Sequence, residues 1–328
     1  MALPFVVGVC ASAAGPEGDV AFTFRDPAIV ESSGLVAQDG LFTTVNDSGD
    51  RARVFTVDPD SGDTVGVTTW SPDEDGPADI EALAPAGDGQ VWVGDIGDNL
   101  GSRDRVSVVK VPVGRGDRAV DVTEYELTYP AQDAESLLAD PVTGRLVVLG
   151  KGIFGGEVLL GPRELDADRP NRMRSVGVVR SIATDGAFFP DGRHLIVRGY
   201  GSANVYTWPA LEEVGRFDLP GQEQGEGIAV DEDGAVFLST EGVRSDVLRV
   251  RLPARIARAM APEPAPTPTD GTSATGEPTA DAGEPTPDAG SGSETATEAD
   301  DRPVWPWLLG GVAGLAVIVV LLRSMRPR

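Results

Sequence analysis

The sequence predicts an all-β fold: a β-propeller of five blades, each a four-stranded antiparallel sheet, followed by one C-terminal transmembrane helix. Three observations predict it. A short phrase recurs along the chain, as Ser32-Ser33-Gly34-Leu35-Val36-Ala37, Asp79-Ile80-Glu81-Ala82-Leu83-Ala84, Asp133-Ala134-Glu135-Ser136-Leu137-Leu138, Thr184-Asp185-Gly186-Ala187-Phe188-Phe189 and Gly225-Glu226-Gly227-Ile228-Ala229-Val230. The copies lie about 41 to 54 residues apart, a spacing suited to blades of about 40–50 residues. Each is followed by a Gly-containing turn and further short apolar runs, with four strands to a unit. A sixth, degenerate unit and a two-sheet sandwich are the competing architectures.

The elements follow in order. Residues 19–25 alternate, with Val20, Phe22 and Phe24 apolar at period two. This strand precedes the first repeat and has no hairpin partner nearby, so it is expected to complete the last blade. In the first unit Asp39-Gly40 is a hairpin signal between Leu35–Ala37 and Leu41–Val45. Strands near Val54–Val57 and Val65–Trp70 complete that blade. The second unit offers Ile80–Ala84, Gln90–Gly94, Val106–Val111 and Val122–Leu127. The third has Arg145–Leu149 as its second strand. The fourth has His194–Arg198 and Val205–Trp208, and the fifth Ala235–Ser239 and Val247–Val250. No long amphipathic helix is expected between 20 and 250; a short one is expected at 254–260.

Composition changes at both ends. Residues 1–14 resemble the remnant of a signal peptide, an apolar run closing on Ala11-Ser12-Ala13, without the basic start. Residues 15–260 form the propeller ectodomain. Residues 261–302 are rich in Pro, Thr, Asp and Glu and contain no aromatic residue and no Ile, Leu, Val or Met. Such a segment buries too little apolar surface to fold and reads as a stalk. Residues 303–322 carry no charge and are long enough, at ~1.5 Å per residue, to cross a bilayer core of ~30 Å. Arg323, Arg326 and Arg328 follow as a basic tail, 323–328, which the positive-inside rule leaves cytoplasmic. The expected topology is a single-pass membrane protein with its propeller outside the cell.

Charge and composition exclude several functions. There are 52 acidic and 27 basic residues, a net charge of −25. Nucleic acid is excluded as a partner, because phosphate backbones require clustered Lys and Arg. One cysteine, Cys10, allows no intrachain disulfide, and one histidine, His194, rules against a His-rich metal site. Neither a G-x-S-x-G elbow nor a P-loop is present.

The first strand of each blade lines a propeller's channel. Aligning the copies places Ser33, Glu81, Glu135, Asp185 and Glu226 at one channel mouth. The ends of the second strands add Asn46, Asp47, Asp95, Asp98, Asn99, Lys151, Arg198 and Glu241. Clustered carboxylates require solvent, protons, backbone amides or a cation. Three readings therefore stand side by side. Glu81, Glu135, Asp185 and Glu226 hold a hard cation such as Ca²⁺, or each acid bonds turn amides within its own blade, or the acids contact a substrate directly. Lys151 and Arg198 share one slot in successive units, where they could receive a small anionic ligand such as a phosphate ester. Asp95-Ile96-Gly97-Asp98-Asn99 has the look of a calcium-loop fragment without EF-hand spacing.

The phrases Ser33-Gly34-Leu35, Asp79-Ile80-Glu81-Ala82-Leu83 and Gly225-Glu226-Gly227-Ile228-Ala229 resemble the S-G-L-A and D-x-E-G-I-A strands of phytase-like and SdiA-regulated β-propellers, WD40/NHL-like folds of bacterial surface proteins. The resemblance implies a propeller, calcium, and an esterase- or phosphatase-like site on the acidic face. The chain departs from the pattern: Ala82 and Ser136 replace the Gly after Glu, Asp185 replaces a Glu, and five units stand where propeller phytases have six. With no recognisable nucleophile, the leading expectation is a cell-surface module binding a small ligand or a cell-envelope protein. A Ca²⁺-dependent ester or phosphoester hydrolase is the alternative.

Overall fold

The computed structural model describes residues 18–262, except 48, 72–78, 99–102, 104, 131–132, 153–154 and 181. The expected leader, the stalk beyond residue 262, the membrane span and the basic tail lie outside the described residues. Among those described, no helix is long and apolar enough to cross a membrane.

Five sheets radiate around a channel. The N-terminal strand is β1 (Asp19–Thr23). Blade one contains β2 (Ser32–Gln38), β3 (Leu41–Asn46), β4 (Arg53–Val57) and β5 (Thr64–Trp70). Blade two contains β6 (Ile80–Gly87), β7 (Gln90–Asp95) and β8 (Val106–Pro112). Then β9 (Arg118–Val120) crosses to pair in parallel with β5, before β10 (Glu124–Thr128) completes the blade. Blade three contains β11 (Ala134–Ala139), β12 (Leu146–Gly150) and β13 (Gly156–Leu160). The two-residue β14 (Asn171–Arg172) pairs in parallel with β10, and β15 (Arg174–Val179) is the outer strand. Blade four is β16 (Asp185–Phe188), β17 (His194–Arg198), β18 (Ser202–Thr207) and β19 (Glu213–Asp218). Blade five is β20 (Gly225–Val230), β21 (Val236–Thr240) and β22 (Asp246–Val250). Its fourth strand is β1, antiparallel to β22, so the N-terminal strand closes the ring as expected. The innermost strands touch in the order β2, β6, β11, β16, β20 and back to β2.

Burial explains the architecture. Apolar residues form wedges between neighbouring blades rather than one central core. Val36, Val54, Leu83 and Val93 join blades one and two, and Trp92, Leu137 and Val148 join two and three. Leu138, Leu149, Leu195 and Val197 join three and four, while Ile196, Val205, Ile228 and Leu238 join four and five. The closure wedge is aromatic. Phe22 meets Phe24 edge-on at 5.5 Å and Phe42 at 4.9 Å, and Phe42 meets Phe237 at 4.9 Å. Val20, which shares their period-two pattern in the sequence, is 57% exposed, because a bulge between Val20 and Phe22 breaks the alternation. The short helix α1 (Ala254–Met260) docks Ile256 into the wedge of blades four and five.

Asp39 and Asp88 adopt φ of 53° and 50°, followed by Gly40 and Gly89 at 69° and 67°. Two successive positive φ values define the tight hairpin turn that Asp-Gly signals.

Candidate functional site: an acidic channel mouth

All five inner strands run the same way, so their first residues meet at one mouth. Bulges aim the side chains there. Register shifts fall between Ser32 and Leu35, Ile80 and Ala82, Ala134 and Ser136, and Gly225 and Ile228. Ser33, Glu81, Glu135 and Glu226 therefore sit in bulges, outside the regular cross-strand pairing. A bulge re-aims a side chain in this way. After Ser33 and after Glu226, glycine is required by close approach of the inner strands. A Cβ on Gly34 would lie 2.5 Å from the Leu83 nitrogen, and one on Gly227 would lie 2.9 Å from the Ser33 oxygen.

Blade four breaks this pattern. Its register is regular from Asp185↔Arg198 onward. Asp185 is 0% exposed; Oδ1 accepts a hydrogen bond from the Gly186 amide (2.7 Å) and Oδ2 from the Ile228 amide (2.8 Å). Burial drives its carboxyl well above the usual range, against the lowering effect of those amides and of Arg198. The expectation of Asp185 as a cation ligand in the ring is corrected: it is an internal strut between blades. Arg198 is corrected likewise. It is 0% exposed and donates to the Gly227 oxygen (2.5 Å), the Ser239 oxygen (2.7 Å) and Gln222 Oε1 (2.6 Å), so it is not available as a surface partner to Lys151 for an anion. Burial lowers its guanidinium to about 10, opposed by Glu226 and Asp185.

Three carboxylates gather at this mouth. One carboxylate oxygen from each of Asp47, Asp79 and Glu81 lies within 4.8 Å of the other two. Asp47 follows β3, Asp79 precedes β6 and Glu81 occupies the β6 bulge, so blades one and two supply the trio. Gly97 makes room for it: a Cβ there would lie 2.4 Å from Asp79 Oδ2 and 2.8 Å from Glu81 Cγ. Glu81 is 3% exposed, and its carboxyl is raised to about 10, first by burial and then by Glu135, Asp47 and Asp79. Asp79 is raised too, by burial and then by Asp47.

Beside the trio, Lys151 Nζ donates to Glu135 Oε1 at 2.5 Å. Burial opposes the Lys151 charge, but Glu135 outweighs it and holds the ammonium above its ordinary range. Burial raises Glu135 to about 7 despite Lys151, and raises Glu226 to about 7 despite Lys151 and Arg198. Glu226 is 5% exposed, and its Oε2 has no hydrogen-bond partner among the described residues. Glu241 at the rim is raised by burial and by Asp47, and accepts a bond from Gln224 Nε2 at 2.6 Å. The exposed Tyr200 ring reaches the same group, where burial and then Glu226 raise its phenol.

Other expected residues take structural roles. Ser33 Oγ donates to the Glu81 carbonyl at 2.7 Å. Asn46 fastens the approach to β2, accepting from the Val30 amide (2.9 Å) and donating to the Ala28 oxygen (2.8 Å). Asp95 accepts from the Asp79 amide (2.9 Å) and pairs with Arg103 (2.7 Å). Asp98 accepts from the Arg103 amide (3.2 Å). The calcium-loop look of 95–99 thus belongs to a loop that braces the trio; Asn99 lies outside the described residues. Asp79 and Tyr200 were absent from the aligned set. Asp79 stood two residues before Glu81 in the repeated phrase, and that was its only signal.

No protein-family model matches this chain, and no curated protein does. Among solved structures it is similar to a chain of a nidogen/laminin complex, at 14% identity over 66% of this chain and 74% of that one, with a TM-score of 0.44. It is similar to streptogramin B lyase at 16% identity, over 72% and 74% of the two chains, TM-score 0.38. It is similar to a glucose dehydrogenase at 12% identity, over 73% and 100%, TM-score 0.45. The propeller assignment rests on the strand pairing of this chain itself.

Proposed function

We propose that the chain is a binding module whose acidic channel mouth holds a divalent cation, Ca²⁺ by its ligand chemistry, and presents it to a small ligand or partner protein. The observation that carries the reading is the Asp47–Asp79–Glu81 trio, with oxygens within 4.8 Å of one another. Two oxygens on one Ca²⁺ ion stand at most about 5 Å apart, so the three fit a single ion. Beside it, Lys151 already neutralises Glu135. Of the ring expected from the sequence, Glu81 is a ligand in this reading, Glu135 and Glu226 flank the ion, and Asp185 has no part. A membrane anchor at 303–322 and an extracellular propeller remain part of the proposal, supported by the sequence. So does the phytase-like resemblance of the strand motifs.

Calorimetric titration of the full chain with CaCl₂ at pH 8, after EGTA treatment, tests it. Saturable binding, lost in Asp47→Asn and Glu81→Gln, is expected; no binding by the wild type removes the reading. A second reading, a cation-dependent ester or phosphoester hydrolase, draws on Lys151, Glu135 and Tyr200 beside the trio. Turnover of p-nitrophenyl phosphate or acetate that requires Ca²⁺ and is lost in Lys151→Met would favour it over binding alone.

A further inference from the structure

At the end of the channel away from the acidic mouth lies a cavity of about 650 Å³. That is within the range of small-molecule sites. Its walls are the last residues of the inner strands and the hairpins that follow them. The lining is chiefly apolar, with Leu35, Leu83, Leu137, Ala187 and Phe188 prominent. Phe188 is partly exposed and braced edge-on against Trp208 at 5.3 Å.

The rim is acidic, and its acids are of two kinds. Asp140 and Asp231 are engaged by their own turns: Asp140 Oδ1 accepts from the Val142 amide (2.9 Å) and Asp231 Oδ1 from the Ala235 amide (2.8 Å). Asp39 and Asp88 are placed differently. Each occupies the first left-handed position of its hairpin turn and is exposed. Glu232 joins them, its Oε1 accepting from the Asp39 amide at 3.2 Å. These three belong to blades five, one and two, which are contiguous, whereas Phe188, Phe189 and Pro141 line the side made by blades three and four. Lys110 is the one cation among the lining residues, and its ammonium lies over the Trp92 ring at 4.5 Å.

We infer that this cavity is a second binding site, for a small organic cation with an apolar body. The cation would meet Asp39, Asp88 and Glu232 at the rim of blades five, one and two, and the body would lie against Phe188 and Pro141 on the side made by blades three and four. Charge complementarity selects the sign, since three carboxylates face one ammonium. The apolar wall selects an organic cation over a metal ion, which would gain nothing from it and would need more oxygens than the rim converges. This site is independent of the cation proposed at the acidic mouth.

The test is calorimetric titration of the full chain with 2-phenylethylammonium chloride, set against its anionic counterpart, 3-phenylpropanoate. The triple variant Asp39→Asn, Asp88→Asn, Glu232→Gln removes the charge. Asn accepts the left-handed conformation as readily as Asp, so both turns survive, and an unchanged melting temperature verifies it. Saturable binding of the cation is expected, no binding of the anion, and affinity weakened roughly ten-fold in the triple variant. Absence of saturable binding by the cation, equal binding of the anion, or undiminished affinity in the triple variant would overturn the inference.

Discussion

Glu81 keeps a proton far above the usual carboxylate range, because burial and the neighbouring Glu135, Asp47 and Asp79 all oppose its charge. Its folded pKa of about 10 exceeds its ordinary value of 4.5. Glu135 and Glu226, at about 7, share the sign. The folded state thus holds protons that the unfolded chain releases above about 4.5. Their contribution to stability is complete below that pH and is lost as pH rises: by about 7 for Glu135 and Glu226, and by about 10 for Glu81. In EGTA, the melting temperature should fall from pH 5 to pH 8; a flat or rising profile would refute this. Glu81→Gln should raise the melting temperature at pH 8 and make it insensitive to Ca²⁺. A cation bound at the proposed site would displace the Glu81 proton, so Ca²⁺ affinity should increase with pH over the same window, as calorimetry in buffers of different ionisation enthalpy would show. Arg198 makes a contrasting case. Truncation to Ala strips the Gly227 and Ser239 carbonyls of their donor and Asp185 of its counter-charge. Removing one partner of such a buried group costs about 3–5 kcal/mol, so urea denaturation of Arg198→Ala should show a loss of that order while any Ca²⁺ binding by the surviving fold is retained.

At the scale of elements, the repeats, their number, the closing strand and the short terminal helix were legible because each rests on local chemistry: period-two alternation, Asp-Gly turns and a recurring spacing. The bulges were not. Asp185-Gly186 reads like Glu226-Gly227, yet only the latter pair sits in a bulge. The shorter Asp side chain reaches its own following amide and the Ile228 amide of the next blade. That is a contact across blades, which no local pattern announces. Arg198 misled for a related reason: a strand-end Arg looks solvated until the neighbouring blade covers it. Gly97 also acquired its meaning only in three dimensions. Gly97→Ala should push Asp79 aside and weaken Ca²⁺ binding roughly ten-fold, with circular dichroism unchanged; unaltered affinity would show that the trio tolerates the methyl group. The closure seam is equally specific. Phe24→Ala should cost about 3–5 kcal/mol as a buried aromatic lost, measured by urea denaturation.

For the whole molecule, the two ends of the propeller channel differ: clustered carboxylates lie at one, apolar walls with an acidic rim at the other. If the expected span at 303–322 anchors the chain, protease added to intact cells should release the propeller, and protection until lysis would reverse the orientation. The way the ring is closed also has a mechanical consequence. The strand that leads out toward residue 260, β22, is not an edge: β21 flanks it on one side and β1 on the other. Any load applied from the C-terminal side is borne by two ladders of hydrogen bonds before a single strand can peel away. The first of the described strands therefore acts as a clamp on the last, and force applied beyond β22 would have to break both ladders before the ring unravelled.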